Sequence, residues 1–202
     1  MSTLISDLEK QPSTNFLSSR RVMVAVFLIL LPAAAIIYGL RVSDNQTKAA
    51  SKRAAAAGLA AYKKGDFGGA VITLKKATKV NPANAEAQRT LGQSYEATGK
   101  LDKAAKAYQA SLAANPKQTE VLYNLAIIYK SQNKTKEAVQ ELEKAVALNK
   151  QFIAAKLILG DLYLQQGKKD KAKEQYQAVV DMKPFGVSLV EVQSKLDSLR
   201  QW

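Results

Sequence analysis

The sequence predicts an all-α chain: a helical solenoid of four 34-residue helix-turn-helix repeats with a C-terminal capping helix, preceded by a single transmembrane helix. Three observations lead there. The stretch from Ala85 to Gln118 belongs to a recurring unit whose copies begin at Ser51, Ala85, Thr119 and Ile153, with no gap needed to align them. Residues 22–40 carry no charge. After the last copy, Ser188 and Glu191 form a capping-box pattern, followed by apolar residues at helical spacing.

The columns of the repeat have physical meanings. The eighth position holds Gly58, Gly92, Ala126 and Gly160, and the twentieth Ala70, Ala104, Ala138 and Ala172. Small residues there let two helices approach closely where they meet. Between them stand Gly65, Gly99, Asn133 and Gly167, residue types that tolerate the left-handed backbone common just past a helix C-terminus. That is the turn within each repeat. Leu91, Leu125 and Leu159, then Tyr95, Tyr129 and Tyr163, then Leu74, Tyr108, Leu142 and Tyr176 are the expected core. Pro82, Pro116 and Pro184 stop the second helices, because proline removes a backbone donor and disfavours helix in the residue before it. Lys150 stands in that column as the exception.

This spacing of Leu, Gly, Tyr, Gly, Ala, Tyr and Pro resembles the tetratricopeptide repeat. The second copy, with Leu91, Gly92, Tyr95, Gly99, Ala104, Tyr108 and Pro116, matches it best, and the resemblance covers residues 51–186. Ala61 departs from it at the first tyrosine column, which implies looser packing in the first repeat. The domain map therefore reads: polar tail 1–21, membrane helix 22–40, linker 41–50, repeats 51–84, 85–118, 119–152 and 153–186, and capping segment 187–202.

Composition narrows the chemistry. The chain has no cysteine and no histidine, which removes disulfides, thiolate nucleophiles, imidazole bases and the commonest nitrogen and sulfur metal ligands. No Gly-rich phosphate loop or nucleophile–base pair appears, so no enzyme, cofactor or metal site is expected. The net charge is +13, and residues 51–202 hold 25 Lys or Arg against 14 Asp or Glu. Such a surface attracts anionic neighbours. The lysines are dispersed and arginine is scarce, which argues against nucleic acid and for a solvated face.

Residues 22–40, VMVAVFLILLPAAAIIYGL, follow Arg20-Arg21 and precede Arg41. As a helix they span about 28 Å, close to the roughly 30 Å hydrocarbon core of a bilayer. A cleaved signal peptide is the competing reading, with Pro32-Ala33-Ala34-Ala35 as the small-residue cleavage site. The apolar run continuing through Ile36, Ile37, Tyr38 and Leu40 favours a retained anchor. The short leading tail and its Arg pair place the N-terminus in the cytoplasm and the repeats across the membrane, periplasmic in a bacterium. The alternatives are cytosolic repeats, or a secreted chain after cleavage. The linker 41–50 lacks proline and is free to continue as helix into the first repeat. The triplets Asn45-Gln46-Thr47 and Asn133-Lys134-Thr135 match the glycosylation pattern, which arises often by chance.

At the other end, Leu189, Val192, Leu196 and Leu199 give one apolar face to residues 188–200, as the end of a stacked array requires. Trp202 is read as loosely packed or as an interface anchor. The resemblance implies that function belongs to the concave surface, lined by set positions of each first helix. Carried onto this sequence, those include Arg89 and Gln93 in the second repeat, Tyr123, Asn124 and Ile127 in the third, and Leu157, Asp161 and Leu164 in the fourth. Asn124 is suited to hold a peptide backbone and the apolar residues to take side chains or a helix face, although some of them are also candidates for core. The family's clamp for chaperone C-terminal peptides needs lysine and asparagine or arginine four apart. Here those positions are Ala55 and Leu59, Arg89 and Gln93, Tyr123 and Ile127, so the clamp does not carry over. The expected partner is another protein, engaged by a membrane-anchored adaptor, scaffold or assembly factor. The alternatives are a fixed subunit of a membrane complex, and a lysine-rich face that binds polyanions or a membrane surface.

Overall fold

The computed structural model describes residues 42–184, 186 and 188–200. The chain divides into two units, Met1–Lys48 and Ala49–Trp202. Within the first, residues 42–48 are helical and exposed, and the Lys48 ammonium bonds Asp44 at 2.5 Å. The segment 22–40, expected to span a membrane, lies outside the described residues, as do the tail 1–21 and Trp202. No described helix is long and apolar enough to cross a membrane.

Helix α1 covers residues 42–63, so the proline-free linker is helical over 42–50. It is followed by α2 Phe67–Val80, α3 Ala85–Ala97, α4 Leu101–Ala114, α5 Thr119–Ser131, α6 Thr135–Leu148, α7 Ile153–Gln165, α8 Lys169–Met182 and α9 Leu189–Arg200. From α2 onward each helix packs on its neighbours in sequence, which is the signature of a solenoid. No strand occurs among the described residues. The core runs through the stack as Leu74, Tyr108, Leu142 and Tyr176, all fully buried, with Leu125 and Leu159 beside them. In the first repeat Tyr62, one place after Ala61, pairs its ring with Phe67 at 5.4 Å between centroids.

Glycine is needed in the eighth column for a reason different from the expected one. A Cβ on Gly92 would stand 2.5 Å from Cε1 of Tyr108, and one on Gly160 2.7 Å from Cε1 of Tyr176. The close approach is therefore to the aromatic ring of the twenty-fourth column rather than to the alanine of the twentieth.

The four turns repeat one geometry. Gly65, Gly99, Asn133 and Gly167 all have positive φ, between 58° and 81°. In each case that residue donates three positions back, and the next residue donates to the carbonyl of the eleventh column, as Lys100 N does to Tyr95 O at 2.8 Å and Lys134 N to Tyr129 O at 2.9 Å. This is the Schellman arrangement. A Cβ on Gly99 would meet nothing within 4 Å, so only backbone strain opposes a side chain there. Gly99→Ala should cost about 1 kcal/mol and Asn133→Gly should be neutral or stabilising. Urea melts of both variants check this, and equal losses would refute the assignment.

Three of the second helices, α2, α4 and α8, end just ahead of Pro82, Pro116 and Pro184, but proline is not required. α6 stops at Leu148 in the repeat that carries Lys150, at the same column where α2 and α4 stop. What α2, α4 and α6 share is the asparagine after the helix: Asn81, Asn115 and Asn149 accept through Oδ1 from the backbone N–H two residues on, at 3.0–3.1 Å, whereas α8 is followed by Lys183 in the left-handed conformation. At the C-terminal end Ser188 Oγ accepts from Glu191 N at 3.4 Å, and α9 buries Val192 and Leu196 against α8 and the core of the fourth repeat.

Candidate functional site

The eight expected groove residues lie on three successive first helices: Arg89 and Gln93 on α3, Tyr123, Asn124 and Ile127 on α5, Leu157, Asp161 and Leu164 on α7. All are half-buried. Their helices bury the opposite stripe, Leu91, Leu125 and Leu159, which fixes how these faces are presented.

Two polar networks hold part of this surface in place. The Tyr108 hydroxyl donates to Glu96 at 2.7 Å, and the Asn124 side chain lies near the same hydroxyl. Burial, and then the bond to the Glu96 carboxylate, push the Tyr108 phenol well above its ordinary range, so it stays a neutral donor. In the fourth repeat the Tyr176 hydroxyl donates to Asp161 at 2.6 Å, and its phenol is raised by the same two causes in the same order. The same Asp161 oxygen also accepts from Lys195 of α9 at 2.7 Å, and that ammonium lies 5.6 Å from the centre of the Tyr176 ring. Lys195 stands 34 residues after Asp161. α9 thus places its lysine one repeat further along the ninth column.

These contacts sort the candidates. Tyr123 is paired with the Phe152 ring at 5.0 Å, Asn124 lies near the Tyr108 hydroxyl, and Asp161 is engaged by Tyr176 and Lys195. Leu157 and Leu164 pack on the core cluster of the third and fourth repeats, as does Tyr123. Arg89 and Gln93 have no side-chain hydrogen bond or ion pair among the described residues, and Ile127 packs on none of the core clusters. That leaves Arg89, Gln93 and Ile127 without such an engagement among the described residues. Sequence reasoning missed Tyr108, Tyr176 and Lys195 as supports of this surface. Extending the 34-residue register into α9 is the signal that would have found Lys195. The arrangement offers hydrogen bonds, one guanidinium and apolar area, which is equipment for binding. Among the described residues no group of three acidic side chains is placed to hold a metal.

Comparison with known proteins gives the same architecture. Family models described as "Tetratricopeptide repeat" match residues 55–119, and 97–143 with 129–191. No curated protein sequence matches. Among solved structures, that of MamA is 27% identical with a TM-score of 0.63, covering 71% of this chain and 82% of that one. A tetratricopeptide repeat protein from Parabacteroides merdae is 22% identical with a TM-score of 0.66, covering 75% and 60%. The first such domain of Spaghetti (RPAP3), solved with an HSP90 peptide, is 26% identical with a TM-score of 0.50, covering 58% and 90%. Proteins of this kind are in general non-enzymatic scaffolds for protein–protein interaction. With the matched models together spanning residues 55–191 and the helix pairs stacked in their register, the chain belongs to the tetratricopeptide repeat family.

Proposed function

We propose that this chain is a membrane-anchored interaction module whose repeats bind a peptide or helix of another protein, as an adaptor, scaffold or assembly factor. The observation that carries the reading is the set Arg89, Gln93 and Ile127, half-buried on adjacent first helices, the two polar ones without a side-chain hydrogen bond or ion pair among the described residues and the isoleucine outside the core clusters. They stand beside Asn124, near the Tyr108 hydroxyl, and Tyr123, whose ring is packed on Phe152. Preorganised polar groups next to free apolar area suit an extended segment or a helix face. The RPAP3 domain, of similar fold, is bound to an HSP90 peptide. Here Ala55 and Leu59 stand at the first pair of positions of the chaperone clamp, so a peptide of other chemistry is proposed: polar where it meets α3, apolar where it meets Ile127 of α5. Anchoring is proposed from the uncharged run 22–40 and its flanking arginines, with the N-terminus cytoplasmic and the repeats on the far side.

A photoreactive residue at Gln93, used in native membranes, tests both parts. The expected result is capture of one discrete protein from the far side of the membrane, lost when Tyr123→Ala and Ile127→Ala are combined in a chain that keeps its helical circular dichroism. Unchanged capture in the double variant rules out the groove, and a captured protein from the cytoplasm overturns the orientation.

A further inference from the structure

Between the second helices α6 and α8 lies a cleft of about 470 Å³, floored by Lys156, Leu159 and Tyr163 of α7. None of the eight groove residues lines it, so it is a surface separate from the one proposed above. Lys156 is the feature that packing alone does not explain. Its stem is packed so that the residue is only 7% exposed, and its ammonium opens into the cleft, where among the described residues no hydrogen bond or carboxylate reaches it. The same column holds Ala54, Gln88 and Leu122 in the other repeats, none of which needs a counter-charge. An ammonium held at the floor of a cleft by a packed stem, with no carboxylate of the protein to meet it, is placed to meet an anionic group that enters. Beside it Gln175 is 9% exposed, and its Oε1 has no donor.

The surroundings indicate what is missing. Lys150 and Lys171 line the same cleft. A second cleft of about 530 Å³ shares Glu143 with the first and adds Lys136 and Lys168. Lys168 and Lys171 both lie over the Tyr163 ring, 5.9 and 5.3 Å from its centre, and Tyr163 is itself tied to Glu143. The cations are thus arrayed along two adjoining clefts rather than gathered at one point, which suits several carboxylates spaced along a chain.

We propose that this pair of clefts docks an acidic, extended segment of a protein partner, with one carboxylate meeting Lys156 and others meeting Lys171 and Lys168. A peptide fits better than a phosphate polymer. Glu143 and Glu174 line the first cleft and would oppose a charge at every step of a nucleic acid backbone. A peptide N–H also supplies the donor that Gln175 Oε1 lacks once the amide turns outward, and a phosphodiester has none to give.

The test uses the full chain in detergent micelles and a short fluorescent peptide of alternating glutamate and glycine, followed by anisotropy. Wild-type protein should bind it in a salt-sensitive manner, and Lys156→Gln should weaken binding at least about tenfold, as loss of a desolvated charge pair does. Glutamine is already accommodated in this column as Gln88. Tyr123→Ala with Ile127→Ala should leave peptide binding unchanged, which separates this surface from the groove. Lys156→Met should abolish binding and leave the melting temperature of the free protein unchanged or higher. The proposal is overturned if Lys156→Gln binds like wild type, or if Lys156→Met lowers the melting temperature, which marks the lysine as structural. It is equally overturned if oligothymidylate or anionic vesicles bind as tightly as the peptide and show the same Lys156 dependence.

Discussion

Gly92→Ala is expected to destabilise the second repeat by about 2 kcal/mol, whereas the same change at Gly58 should be close to neutral. Helix propensity favours alanine over glycine by about 1 kcal/mol, so steric cost must decide the sign. At Gly92 the new Cβ would lie 2.5 and 2.6 Å from Cε1 and Cδ1 of Tyr108. That ring is fully buried and its hydroxyl is tied to Glu96, so it has no room to retreat. At Gly58 the opposing group is Leu74, with its Cγ at 2.5 Å. The third repeat shows that alanine and leucine coexist in these two columns, as Ala126 and Leu142, both fully buried. A leucine can change rotamer where a pinned ring cannot. Gly160, against Tyr176 tied to Asp161, should behave like Gly92. Thermal melts should show Gly92→Ala several degrees below wild type. Adding Tyr108→Leu should recover most of that loss by recreating the pair of the third repeat. If Gly92→Ala melts like Gly58→Ala, or the double variant is no better than the single one, the coupling of the two columns is wrong.

That coupling marks where the sequence stops being readable. The 34-residue period, the left-handed turn residues and the buried columns are visible because each is a one-column property, repeated with the same residue type. Asn133 could be assigned its turn because it stands where three glycines stand, and its φ of 58° agrees. Pairings between columns are harder. Tyr108 bonds the twelfth position of its repeat and Tyr176 the ninth, so no fixed spacing announces the bond. The joint from Gln109 to Tyr129 recurs as that from Glu143 to Tyr163, but amide and carboxylate exchange roles as donor and acceptor. That the eight candidate residues fall half-buried on three successive first helices was legible from the repeat register. Which of them the protein already uses was not, because that depends on Phe152, Tyr108 and Lys195 arriving from other helices. The asparagines at 81, 115 and 149 form a one-column signal that was present in the sequence but overshadowed by the neighbouring prolines.

Raising the pH above about 10 should unfold the repeats steeply, through three tyrosines at once. Tyr108, Tyr163 and Tyr176 are all raised above the ordinary phenol range. Burial is the first cause in each, and hydrogen bonds to Glu96, Glu143 and Asp161 respectively are the second. A phenol whose folded value is raised keeps its proton where the unfolded chain loses it. Its stabilising contribution is therefore complete below the unfolded value and is lost as the pH climbs beyond it. One fully protected tyrosine removes about 1.4 kcal/mol by one pH unit above its unfolded value. The Tyr163 and Tyr176 hydroxyls have fewer atoms packed around them than that of Tyr108 and warrant a discount, which leaves a total of roughly 2–4 kcal/mol. That is a large share of the roughly 5–15 kcal/mol that holds a typical domain folded. Tyr108→Phe separates this from general alkaline damage. It should be less stable than wild type near neutrality, by about 1 kcal/mol for the lost hydroxyl–carboxylate bond, yet lose stability less steeply as the pH rises. Urea midpoints measured across this range, with phenolate absorbance followed in parallel, give both slopes. If these phenols ionise in the folded protein near pH 10, before the helical signal falls, the carboxylate bonds do not hold their protons and the alkaline transition has another origin.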